Sequence, residues 1–345
     1  MRKVVLTDIE KMEMIKSEEP SIENSDEVKI KLSSIGVCGS DVHYYSEGRI
    51  GTQVVDFPFA LGHECSGIVE DKGEEVTNVR RGDLVVIDPA VHCGKCDQCL
   101  SGRPHTCRNN RFLGCPGQLE GCLSDYIVMP SFTCFPVTGK LNPVQSALIE
   151  PFSIGVYSVK QAQIGNPEVS AAIFGAGPIG LSVMLRLQAG GIMNIGMTEP
   201  LAYRLKKAGE LGARYLINPF EDDVEAVVAG HEKLGVDVVF EASGEQDAVD
   251  NALKILKPGG KLILVGIPPV ANYTFNMDLL RRKELTVINI RRQNNCVEEA
   301  IDLVVSGKAD VEKMVTHHFS LEDTSTAFDI VKNYRDGVIK AMIDL

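Results

Sequence analysis

The chain has 345 residues, of which 44% are hydrophobic and 24% charged, and its formal net charge at pH 7 is −12. That length exceeds what one hydrophobic core usually serves, so two domains are expected. The acidic balance excludes an extended nucleic-acid surface and disfavours an anionic membrane surface, because both require clustered Lys and Arg.

The first residues, "MRKVVLTDIEKMEMIKSEEP", contain no apolar run long enough for a signal peptide. Stretches such as "KLILVGIPPV" are too short and too interrupted by turn residues to span a bilayer. Ten cysteines in such a chain read as reduced thiols or metal ligands, and a cytoplasmic location is expected. The first third is β-rich: "VKIKLSSIGV" (28–37) alternates apolar and polar residues, and "CSGIVEDKG" and "GDLVVIDPAV" are short β-type runs cut by Gly and Pro. Near 165–175 the character changes. Strand-type segments "SAAIFGAG", "MNIGMTE", "YLIN", "VDVVFEAS" and "KPGGKLILVG" alternate with helical ones from Pro178, over 201–211 and over 246–256. Such alternation marks βαβ units and a parallel sheet. "LTVINI" (285–290), two short helices and a closing strand "VIKAMIDL" follow.

"FGAGPIG" places Gly175, Gly177 and Gly180 in a G-x-G-x-x-G pattern between a strand and a helix, the context that dinucleotide binding requires. The helix N-terminus offers free N–H groups to a pyrophosphate. Glu199 closes the next strand, where a carboxylate accepts hydrogen bonds from the adenosine ribose and repels a 2′-phosphate, favouring NAD over NADP. Nearby Arg204 weighs the other way, since an arginine can serve a phosphate.

In "CGKCDQCLSGRPHTC", Cys93, Cys96, Cys99 and Cys107 form a four-thiol loop with the spacing of a closed structural zinc site; a redox pair or incidental cysteines are the alternatives. Four sulfur ligands leave no position for substrate. A second candidate metal site is dispersed over "GVCGSDVHYYSEGRIG" and "LGHECSG": Cys38, His63 and Glu64 supply thiolate, imidazole and carboxylate, a set that suits zinc with a fourth position open. Taken singly, Cys38 reads first as a buried core thiol and His63 as a hydrogen-bonded histidine.

Together, "CGSDVHYY", "GRIG", "LGHECSG", the four-cysteine loop, "ALIEPFSIGV", "GAGPIG" and "VTHHFSLED" resemble the zinc-dependent medium-chain dehydrogenase/reductase family, in its sorbitol (polyol) dehydrogenase branch. The resemblance implies an α/β protein with a GroES-like β-rich catalytic domain (1–152), an inserted doubly wound Rossmann NAD-binding domain (153–290) and a return to the catalytic domain (291–345). It implies two zinc ions per chain, a catalytic one at Cys38, His63 and Glu64 with Glu150 beside it, and a structural one at the four-cysteine loop. Glu150, Ser40 and His43 are implied in proton transfer, with Glu64 at the metal. Tyr44, Glu150 and Arg292 are implied at the substrate. Gly175, Gly177, Pro178, Ile179, Gly180, Glu199, Arg204, Val265, Gly266 and Ile267 are implied at NAD. The branch typically flanks the arginine of "INIRRQNN" with aromatics; here Arg291 and Gln293 stand there, which leaves a more polar or anionic substrate open.

The expected activity is oxidation of a secondary hydroxyl of a sorbitol- or xylitol-like polyol to a ketose. The alternatives are a dehydrogenase of a sugar phosphate (galactitol phosphate-like) or sugar acid, and a catalytically silent NAD-binding relative. A small-molecule substrate and a homo-oligomer (dimer or tetramer) are expected, with neither a nucleic-acid nor a membrane partner.

Overall fold

The alternation over 28–37 becomes the strand Glu27–Gly36, with Val28, Ile30 and Leu32 buried on one face and Lys31 exposed on the other. In the computed structural model, which describes residues 1–269 and 272–345, this strand organises the first of two compact units, Met1–Glu150 with Met314–Leu345. The sheet runs Cys134–Pro136, Leu84–Ile87, Glu64–Lys72, Glu27–Gly36, Lys340–Asp344, Val315–Ser320, and Tyr126–Pro130 also pairs with Glu27–Gly36. The chain end is thus built into this sheet, Met342 opposite Gly36 and Ile343 opposite Ile35. Leu6, Ile30, Ile35, Leu61, Leu123, Met129, Phe328 and Ile343 form its buried core.

The second unit, Pro151–Lys313, is built on a six-stranded parallel sheet. In space its strands run Tyr215–Ile217, Ile195–Thr198, Ala171–Phe174, Val236–Glu241, Leu256–Leu264, Thr286–Asn289. Numbered in chain order this is 3-2-1-4-5-6, the Rossmann order, whose switch point lies between Ala171–Phe174 and Val236–Glu241. Those strands are apolar on both faces, as expected of a sheet covered by helices: all four residues of Ala171–Phe174 and of Ile195–Thr198 are buried. Among the described residues no helix is long and apolar enough to cross a membrane.

The unit boundaries differ from expectation at one end. The first falls inside the helix Pro143–Ala162, between Glu150 and Pro151, close to the expected 152. The return comes at Met314 rather than 291. The helix Val297–Val305 lies in the second unit, where Glu299 pairs at 2.9 Å with Arg186 of the helix Pro178–Ala189.

Candidate active site and metal centres

Cys38 is the extended residue before the helix Gly39–Glu47, and its carbonyl accepts the first helical bond from Val42 N–H. His63 and Glu64 lie at the start of the strand Glu64–Lys72, where Glu64 faces Gly36 across the ladder. The strand-to-helix turn and the neighbouring strand so bring Cys38, His63 and Glu64 together, with one ligand atom from each within 4.8 Å of the others. His63 and Glu64 are buried, and Phe112 packs on the imidazole with ring centroids 5.3 Å apart. On the far side of His63, its Nδ1 lies 3.2 Å from Asp41 Oδ1, a carboxylate that is itself fully buried. Burial disfavours charge on His63, but Asp41 and the Cys38 sulfur outweigh it and hold the imidazole pKa well above its usual value.

Glu150 is also buried but stands outside the 4.8 Å set. Burial pushes its carboxyl up to about 8; His63 and Lys340 oppose the shift, while Glu64 and Asp88 add to it. The Glu64 carboxylate is ion-paired to Lys340, whose ammonium also donates to Val37 O at 2.9 Å. Ser40 Oγ donates to Cys38 Sγ at 3.3 Å. His43, half-buried one turn along the helix, contacts Glu47 at 3.3 Å. Tyr44 is buried and its hydroxyl donates to Gln53 Oε1 at 3.1 Å.

The four-cysteine loop folds onto itself with all four sulfurs within 4.8 Å. Cys96 Sγ lies 3.6 Å from Cys99 Sγ and 3.8 Å from Cys107 Sγ. Four sulfurs about 2.3 Å from a central zinc stand about 3.8 Å apart in a tetrahedron, so the loop has the dimensions of a zinc cage. Backbone N–H groups point at the sulfurs, Cys93 and Asn109 to Cys107 at 3.3 Å each. N–H donation from Lys95 leads in bringing the Cys93 thiol down to about 6, whereas burial and the neighbouring thiols push Cys99 up to about 12. Cys93, Cys96, Cys99 and Cys107 would hold a divalent cation as four thiolates, which would relieve that competition.

In the second unit the glycine motif follows the strand Ala171–Phe174, and Pro178 opens the helix Pro178–Ala189. A side chain at Gly180 would collide with Gly175 O at 1.9 Å, so strand and helix approach as closely as the motif predicts. Glu199 Oε2 accepts from Ala176 N–H at 2.8 Å and Oε1 from Leu201 N–H at 3.1 Å. Arg204 is buried, its Nη1 3.6 Å from where a Gly177 Cβ would stand. Val265 and Gly266 donate their N–H groups to Glu241 O, and Ile267 beyond them is exposed. Arg292 has a left-handed backbone (φ 53°), and Arg291 before it is exposed.

Residues 24–139 match the alcohol dehydrogenase GroES-like domain, and residues 178–306 match the zinc-binding dehydrogenase domain. Sorbitol dehydrogenase of Bacillus subtilis is 36% identical over 321 residues, covering 93% of this chain and 90% of its own. The chain belongs to the zinc-dependent medium-chain dehydrogenases, sorbitol branch. L-Idonate 5-dehydrogenase of Vitis vinifera is 34% identical over 92% of this chain and 88% of its own length. The structure of an Escherichia coli oxidoreductase/dehydrogenase of unknown specificity superposes with a TM-score of 0.93 at 32% identity, covering 99% of this chain and 98% of that one.

Two residues of this dehydrogenase's candidate metal site escape sequence reasoning. Asp41 lies within "CGSDV" and carries a local signal, an acidic residue in the first turn of a helix that begins at the candidate ligand. Lys340, 276 positions from Glu64, carries none. For the four-cysteine loop, Cys96→Ser is expected to remove one zinc ion per chain and lower the melting midpoint by about 5 °C or more, with turnover retained in the cold. Zinc analysis, calorimetry and a low-temperature assay check this. Lost turnover with an unchanged melting curve would instead put the loop in the chemistry.

Proposed function

We propose that this dehydrogenase oxidises a secondary hydroxyl of a neutral polyol, of the sorbitol or xylitol kind, to a ketose with NAD as the hydride acceptor. The observation that carries the reading is the convergence of Cys38, His63 and Glu64 within 4.8 Å, a mixed donor set of the kind that leaves a zinc ion one open position. Zinc held by these residues would supply Lewis-acid stabilisation of the negative charge that grows on the substrate oxygen.

The surrounding residues then have assigned tasks. Asp41 accepts a hydrogen bond from His63 Nδ1–H, the tautomer in which Nε2 keeps its lone pair for the metal. Glu150, whose carboxyl burial raises to about 8, receives the substrate hydroxyl proton in its ionised form, a fraction that grows as the pH rises towards 8. Ser40 and the partly exposed His43 pass it towards solvent. NAD held by the second unit would supply the two-electron acceptor, taking the C–H hydride as the alcohol carbon becomes a carbonyl. On the nucleotide side, Glu199 fixes the glycine turn through Ala176 N–H, and its charge disfavours the 2′-phosphate of NADP. Tyr44 and Arg292 are assigned to the substrate.

A second reading, a sugar-acid substrate, has the exposed Arg291 and the L-idonate 5-dehydrogenase relative in its favour. A panel of polyols, sugar acids and sugar phosphates with NAD and NADP separates the two, run on the wild type and on Arg291→Glu. The polyol reading expects NAD-dependent oxidation of a neutral polyol with KM changed by less than about twofold in the variant. A selective rise of about tenfold in KM for an anion favours the second reading. A zinc-loaded protein saturated with NAD and inert to every polyol overturns the first.

A further inference from the structure

Glu241 ends the strand Val236–Glu241, next to the switch point of the parallel sheet, and is fully buried. One of its carboxylate oxygens, Oε1, accepts three hydrogen bonds from the turn that follows it: Ser243 N–H at 2.7 Å, Ser243 Oγ at 2.5 Å and Gly244 N–H at 2.8 Å. Its backbone carbonyl accepts two more, from Val265 N–H at 2.8 Å and Gly266 N–H at 2.9 Å, which belong to the turn after the next strand. One residue therefore ties together the turns that leave two adjacent strands.

These turns touch each other and the glycine motif. A Cβ on Gly266 would stand 2.4 Å from Gly244 N and 2.8 Å from Glu241 Oε2, so only hydrogen fits between them. A Cβ on Gly175 would meet Ala242 C, Ala242 O and Ser243 N, each at 3.2 Å. The three turns border the carboxyl ends of the strands at the switch point, where open α/β sheets bind their ligands.

We infer that Glu241 is the positioning residue of the cofactor crevice: its carboxylate holds the Ser243–Gly244 turn against the Val265–Gly266 turn, which its backbone carbonyl already fixes, and so sets the affinity for the dinucleotide. This rests on the reading of the second unit as the NAD site. A buried carboxylate with three donors on a single oxygen is a fixed anchor, because each donor it releases is left without a partner inside the fold. Its effect falls on cofactor binding and not on the chemical step, since it touches the cradle and not the metal-ligand set.

The test is fluorescence titration of the zinc-loaded protein with NADH, for the wild type, Glu241→Gln, Glu241→Ala and Ser243→Ala. The Ala variant at Glu241 is expected to weaken NADH binding by about 10- to 100-fold. The Gln variant keeps volume and an acceptor oxygen and should lose less; Ser243→Ala should lose about threefold. In each, KM for NAD rises while kcat at saturating NAD and zinc content stay near wild type; the melting midpoint stays near wild type in the Gln and Ser243 variants and falls in Glu241→Ala, which strands the buried donors. Should Glu241→Ala fail to fold, the Gln and Ser243 variants decide. NADH affinity within about twofold of wild type in both overturns the inference, as does a loss of affinity matched by equal losses of zinc and melting midpoint. A wild type that binds no NADH overturns the cofactor reading and this inference with it; wild-type affinity in the variants overturns the inference alone.

Discussion

Replacing Cys38 by Ser is expected to lower kcat/KM by at least about 10³-fold while leaving the protein folded with one zinc ion fewer per chain. The argument begins with the donor set. Zinc takes a thiolate, an imidazole and a carboxylate in a catalytic site, and the three candidates here stand within 4.8 Å of one another. A serine hydroxyl stays protonated at neutral pH and is a poor ligand, so the remaining imidazole and carboxylate hold the ion weakly. The change is small in volume and lies in the turn before a helix whose cap makes no use of the Cys38 side chain. The fold therefore has no reason to fail. Ser40 loses its 3.3 Å contact to the sulfur, a minor cost. Zinc counting, circular dichroism and turnover, measured together, check the prediction. Full activity with both ions retained would remove Cys38 from the site. The contrast with Cys96→Ser assigns the two centres: one change is expected to cost turnover and spare the melting curve, the other the reverse.

The two centres were not equally legible. The four-cysteine loop is local in sequence, and Gly94 and Gly102 turn it at positive φ, so spacing alone carried the cage. The strand Glu27–Gly36, the helices Ala202–Glu210 and Gln246–Ile255 and the strand Thr286–Asn289 were equally plain, because each shows its own period or punctuation. The dispersed site was legible only as residue types. Its candidate ligands come from a helix-leading turn and a neighbouring strand, and no spacing rule joins residue 38 to residue 63; the resemblance supplies the link. The partners that hold those ligands were less visible still. Asp41 reads as a helix-start acid until His63 is placed against it, and Lys340 reads as a solvated charge in a closing strand. Glu241, inside "VDVVFEAS", reads as the polar end of an apolar strand. What these three share is a bond to an element remote in the chain, or to a backbone turn, neither of which leaves a periodic trace. The return at Met314 has a related origin: the helix Val297–Val305 belongs to the second unit through contacts remote in the chain, such as the ion pair between Arg186 and Glu299, 113 positions apart.

Lys340 supplies the other large expected effect. Its side chain is 1% exposed and that of Glu64 2%, so the pair is wholly removed from water. A buried ion pair adds little net stability when intact, but deleting one partner strands the other as an uncompensated charge, at a cost of about 3–5 kcal/mol. Lys340→Met keeps most of the apolar stem and removes the ammonium, so the loss isolates the charge. Its size should depend on the metal. Without zinc, the His63 imidazole, its pKa raised, is the other cationic group beside Glu64, and most of the cost applies; with zinc, the ion takes over part of the neutralisation and the cost shrinks. By linkage, whatever zinc saves in stability appears as tighter zinc binding in the variant. Urea unfolding of wild type and Lys340→Met, each before and after chelation, measures both differences, and the structural ion cancels in the comparison. A loss below about 1 kcal/mol in both forms would show that Glu64 needs no buried cation. A loss equal in both forms would show that Lys340 and the metal do not share the Glu64 carboxylate.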